Sequence, residues 1–174
     1  MFTLFNVAAY QLAWFAVLIG AARGLPWAGA AVAVVVCAAH LWLRREAIET
    51  RLMAACLVIG AIVDSTLAVS GQVHYAAWTL EVAPYWMLSL WLAFATTLNH
   101  SLRWLMARPF VAALVGAIGG PLAYLAGAKL GALDISTPRL ALPFIGLLWA
   151  PAMFALSLAV LRGTPARAAD RVPA

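Results

Sequence analysis

Six apolar runs of about 20 residues dominate this chain, and the short segments between them hold nearly all of its charge. A helical run of that length rises about 1.5 Å per residue and crosses the roughly 30 Å hydrocarbon core of a bilayer. In lipid, such a run satisfies its own N–H and C=O groups only as a helix. The runs are approximately 3–22, 27–43, 52–70, 84–104, 110–130 and 140–161. The expected fold is therefore all-α, a single bundle of six transmembrane helices over residues 1–163. A disordered, proline- and alanine-rich cytosolic tail is expected over 164–174. A soluble domain is excluded because 10% of the residues are charged, against about 25% in ordinary globular domains. The N-terminus has no Lys or Arg before its apolar run, so it reads as a retained span and not as a signal peptide.

The formal charge of +5 does not indicate nucleic acid. The basic residues stand singly or in pairs at the ends of apolar runs and form no clustered patch. With both termini cytosolic, the inner side carries Arg44, Arg45, Arg51, Arg103, Arg108, Arg162, Arg167 and Arg171, and the outer side Arg23, Lys129 and Arg139. That bias predicts an N-in, C-in bacterial inner-membrane protein. Trp27, Trp78 and Trp86 then fall near the outer boundary, and Trp42 and Trp104 near the inner one. Trp14, Trp91 and Trp149 fall near mid-depth, as packing bulk or as the lining of a cavity.

Polar side chains inside the runs are costly and invite a reason. The stretch TTLNHSLRWL, residues 96–105, ends the fourth run with Thr96, Thr97, Asn99, His100 and Ser101. Asn6 in the first run and His40 in the second fall at a similar depth, counted by helical rise. Facing inward, these residues would form a polar pocket in the cytosolic third of the bundle. Tyr85, Ser89, Leu92, Thr96, Asn99 and Arg103 share one face of a continuous helix, as a polar path or as glue between helices. Asp64 lies deeper, with no basic residue near it in sequence. A carboxylate there must become neutral or find partners. Tyr124 at a similar depth is the first candidate partner and Gln11 the second, with Ser65 and Thr66 as local support. Asp64 is either functional or a buried acid that fixes packing.

No nucleophile motif is present, and no catalytic residue is assigned. His40 and His100 make one plausible metal pair, but no third ligand has supporting spacing, so neither metal nor cofactor is expected. Cys37 and Cys56 fall at different depths and read as small buried hydrophobes. In the fifth run, Ala112, Gly116, Gly119, Ala123, Gly127 and Gly131 form a small-residue seam for close helix packing. Gly119-Gly120-Pro121 is expected to interrupt that helix, as a structural kink or as a break beside a binding site, because proline frees an upstream carbonyl.

Several of these pieces occur together and in order: NVAAYQLAW with Asn6, Gln11 and Trp14; His40; Asp64-Ser65; TTLNHSLRWL; and GGPLAYLAGAKLG with Tyr124. In this the chain resembles a group of small bacterial inner-membrane proteins known only as a domain of unknown function. The resemblance implies a multi-pass protein without an established activity, in the company of enzymes that modify fatty acids. The leading functional expectation is handling of a membrane lipid or other hydrophobic molecule in a pocket between spans one to five. Its partners would be membrane lipids and a membrane or peripheral lipid-modifying enzyme, docked on the inner loops 44–51 and 103–108. The alternatives are a small proton-coupled transporter using Asp64, and a structural membrane partner without a pocket.

Overall fold

The structure, a computed structural model, describes residues 2–163; the tail expected over 164–174 lies outside the described residues. Seven helices and a two-stranded ribbon follow in the order α1 (Phe2–Ala22), α2 (Pro26–Leu43), α3 (Ala47–Val69), β1 (Val73–Tyr75), α4 (Tyr85–Leu98), α5 (Arg103–Met106), α6 (Pro109–Lys129), β2 (Leu133–Ile135) and α7 (Pro138–Gly163). Five of them, α1, α2, α3, α6 and α7, are long and apolar enough to cross a membrane. Proline opens α2 and α6 at the first turn, where its missing N–H costs nothing.

The fourth apolar run departs from expectation. It does not continue as one helix to residue 104: α4 ends at Leu98, residues 99–102 form turns, and α5 adds one further turn. At 14 residues, α4 rises about 21 Å. It tolerates this because it is the hub of the bundle, packed against α1, α2, α3 and α7. Irregular backbone at membrane depth is permitted where protein covers it. The break also dissolves the expected polar stripe, since Tyr85 and Arg103 are exposed whereas Ser89, Thr96 and Asn99 are buried. The hydroxyls of Ser89, Thr96 and Thr97 donate to the carbonyls of Trp86, Ala93 and Phe94 at 2.6, 2.7 and 2.7 Å. These hydroxyls are spent within their own helix and bridge no helices.

Segment 71–83, between the third and fourth apolar runs, contributes a strand. Gly71 and Gly131 take φ of +66° and +80° just after α3 and α6. That left-handed turn lets Gln72 N–H reach back to Leu67 O at 3.2 Å and Ala132 N–H to Gly127 O at 3.0 Å, ending both helices alike. Two residues later β1 and β2 pair antiparallel, with Val73 opposite Ile135, His74 opposite Asp134 and Tyr75 opposite Leu133. Val73, Tyr75, Leu133 and Ile135 face inward, and His74 and Asp134 face out. The pairing sets the end of α3 beside the start of α7, where Ser136 N–H donates to Gln72 O at 3.2 Å and Ser136 Oγ to Gly71 O at 2.7 Å.

Glycines set the closest helix approaches. A Cβ on Gly29 would meet Ala16 O of α1 at 2.4 Å, and one on Gly146 would meet Ala117 O of α6 at 2.7 Å. Ala117 O is the carbonyl that Pro121 cannot serve. Of the two expectations at Gly119-Gly120-Pro121 the break is absent, because α6 is helical throughout Pro109–Lys129 with Pro121 inside it. Its buried seam runs Ala112, Gly116, Gly120, Tyr124 and Gly127, so Gly119 and Ala123 are not in it. Across the bundle the Trp91 and Trp149 indoles stack with centroids 4.7 Å apart and planes 25° from parallel. Gly60 of α3 backs the first ring and Gly120 of α6 the second, where an added Cβ would lie 2.3 and 2.4 Å from ring atoms. Gly60→Ala and Gly120→Ala should each lower stability by roughly 1–3 kcal/mol through overpacking. Gly119→Ala, with nothing within 4 Å, should be neutral or gain up to about 1 kcal/mol of helix propensity. Thermal unfolding in detergent checks this ordering, and equal effects at all three positions would contradict the stack.

Candidate functional site

The buried face of α3 carries Glu49, Leu52, Met53, Cys56, Gly60, Val63, Asp64 and Leu67 at three- and four-residue spacing. It thus buries two carboxylates, Glu49 at 1% and Asp64 at 0% exposure. They are fifteen residues apart, or about 22 Å along the helix. The single pocket expected between spans one to five therefore resolves into two separate clusters.

The first cluster gathers at Glu49. His40 Nε2 of α2 lies 2.9 Å from Oε2, and His100 Nε2, from the turn after α4, lies 3.1 Å from Oε1. Asn99 Nδ2 donates to Oε1 at 2.9 Å. The His40 and His100 rings meet edge to face with centroids 5.1 Å apart. The break in α4 makes this possible, because Asn99 caps the helix and His100 turns with it. His100 N–H bonds to Thr97 O at 3.1 Å, leaving Thr96 O without its helical donor. Asn6 supplies one: its Nδ2 donates to Thr96 O at 3.0 Å, and its Oδ1 accepts from Ser101 Oγ at 2.8 Å. Asn6, His40, Thr96, Asn99 and His100 thus come together, and Glu49 is the residue the sequence reading passed over. By apolar length alone it belongs to the linker 44–51, outside the third run. Stepping back from Asp64 through Gly60, Cys56 and Met53 by threes and fours reaches Glu49, and that periodicity was the available signal.

The second cluster gathers at Asp64. Oδ1 accepts from Tyr75 OH of β1 at 2.6 Å and from Tyr124 OH of α6, and Oδ2 accepts from Trp91 Nε1 of α4 at 2.6 Å. Burial first, and the neighbouring carboxylate second, push the Tyr75 phenol well above its ordinary range, so it keeps the proton it donates. Sequence spacing pointed to Tyr124, whereas Tyr75 arrives only through the ribbon. Gln11 is exposed on α1 and joins neither cluster. Ser65 instead accepts from Ala83 N–H at 3.0 Å, and Thr66 donates to Ile62 O at 2.7 Å, so neither supports Asp64. Cys37 and Cys56 are buried and free.

Two openings reach these clusters. A narrow cleft of about 50 Å³ between α1, α4 and α6 is lined by Trp14, Trp91, Phe94, Tyr124 and Trp149, beside the Asp64 donors. A groove of about 310 Å³ lies between α1 and α2, walled by Phe5, Leu12 and Val35 and ending at Asn6, His40 and Thr96. Ligand pockets run from roughly 300 Å³ upward, so only the groove has room for a sizeable molecule. The Asp64 cluster is too tightly filled for one and reads as a tie between α3, α4, α6 and the ribbon. Tyr124→Phe should cost about 1–3 kcal/mol by removing one donor from a buried network. Thermal unfolding of the purified protein in detergent checks this, and an unchanged midpoint would show that the bond contributes nothing.

Neither curated proteins nor solved structures return a match to the chain. A family model, described as protein of unknown function (DUF2878), matches residues 3–156. That stretch contains both carboxylate clusters and the groove, and the chain belongs to this family.

Proposed function

We propose that this protein binds an acyl lipid from the membrane in the groove between α1 and α2. The observation that carries the reading is an apolar trench with a polar end. Phe5, Leu12 and Val35 suit a hydrocarbon chain, and Asn6 and His40 suit a headgroup or carboxyl. The groove has a structural cause. α1 and α2 touch backbone to backbone at Ala16 and Gly29, and space opens between them toward residues 5–12 and 35–43.

In the membrane we place six crossings, with α4 and α5 together making the fourth and both termini cytosolic. The excess of Arg on the inner side supports that orientation. It sets Asn6 and His40 at headgroup depth in a bacterial inner membrane. The basic loops around Arg44, Arg45, Arg51, Arg103 and Arg108 then offer a docking surface for a peripheral lipid-modifying enzyme, the accessory setting that the resemblance implies. A proton-coupled transporter built on Asp64 has less support, because α6 is unbroken and three donors already occupy that carboxylate.

Native mass spectrometry of protein released gently from membranes tests the reading. Wild type should retain one acyl lipid per chain. Ala39→Trp, which fills the groove, should reduce retention at least several-fold, and Ile62→Trp on the outer face of α3 should not. Equal lipid retention in all three would overturn the assignment.

A further inference from the structure

Glu49 poses a question that lipid binding does not answer. A carboxylate buried at 1% exposure must keep its charge compensated or take up a proton. The groups shown bonded to it are the two imidazoles and the Asn99 amide. No Lys or Arg forms an ion pair with it among the described residues. Ligand atoms of His40, Glu49 and His100 all lie within 4.8 Å of one another. They come from α2, α3 and the turn after α4, so three separate elements converge on one point.

We infer that His40, Glu49 and His100 form a binding site for a divalent first-row cation of the zinc class. Such an ion takes imidazole nitrogen and carboxylate oxygen at about 2.0–2.2 Å. Two ligands bound to one ion at those distances stand roughly 3.0–3.4 Å apart, from the same bond lengths and tetrahedral or octahedral angles. The separations of 2.9 Å for His40 Nε2 to Oε2 and 3.1 Å for His100 Nε2 to Oε1 lie at that edge length already. Small rotations, replacing the shared protons by the ion, convert the hydrogen bonds into a coordination shell.

A second observation points the same way. Asn99 Oδ1 is buried, on a residue only 8% exposed, and has no hydrogen-bond partner. Turning the amide over brings Oδ1 to the present position of Nδ2, 2.9 Å from Glu49 Oε1. Beside a carboxylate alone that orientation is repulsive; beside a cation it supplies a further ligand. Two histidines and a carboxylate favour zinc, iron or manganese over calcium or magnesium, which prefer all-oxygen shells. His40 also stands at the end of the groove, so the ion would adjoin whatever polar group lies there.

The test uses the full chain in detergent, stripped with a chelator and titrated with Zn(II) against a chromophoric competitor. Wild type should bind close to one equivalent with submicromolar affinity, and its melting temperature should rise on addition. His100→Gln and Glu49→Gln should weaken binding at least tenfold, while Asp64→Asn, at the other carboxylate, should retain it. The wild-type titration stands even if a variant fails to fold. A folded wild type that binds no Zn(II), Fe(II) or Mn(II), or a folded His100→Gln that binds like wild type, would overturn the site and leave the imidazoles holding protons only. Failure of lipid retention would leave this result untouched.

Discussion

A carboxylate among apolar helices is costly unless several donors converge on it. This bundle buries two, on one face of α3, and much of the rest follows from satisfying them. Glu49 draws in α2 and the turn after α4. Asp64 draws in α4, α6 and, through Tyr75, the ribbon whose strands follow α3 and α6. Helices in lipid have little hydrophobic incentive to choose one another. Directional bonds to these two acids specify which helices are neighbours, and the glycine contacts then set how closely they pack.

The short α4 shows how the constraint reshapes an element. A helix continued through Asn99 and His100 would place those side chains a quarter-turn apart. Ending at Leu98 aims both at Glu49 and frees Thr96 O for Asn6. The price of broken backbone is met by covering α4 with four other helices. The polar layer at its C-terminal end is thus a consequence of the break, and it stands at the end of the groove between α1 and α2.

Membrane character and the five long helices were legible because apolar length is a one-dimensional property, written in runs such as 3–22 and 140–161. Tyr124 was legible as a partner of Asp64 because both depths follow from helical rise. The break in α4 was not, since Thr97 to Leu102 carries no proline or glycine and the stop depends on Asn6 from α1. That α6 would stay continuous and not break was undecided for a related reason: Pro121 frees a carbonyl at a point where α7 packs close through Gly146. Glu49 escaped notice because flanking arginines made it look like loop, although the stripe leading back from Asp64 pointed to it. Tyr75 needed strand pairing with Leu133, 58 residues further along the chain, which no local pattern encodes.

The central claim is that the buried carboxylates couple separate helices energetically. A double-mutant cycle in detergent measures it, with Glu49→Gln and His40→Asn made singly and together and unfolding free energies compared. The account predicts a coupling of roughly 0.5–3 kcal/mol for this pair, and additivity within about 0.5 kcal/mol for His40→Asn combined with Asp64→Asn. Additivity at Glu49 and His40 would contradict it, because the two residues would then be neighbours without being partners.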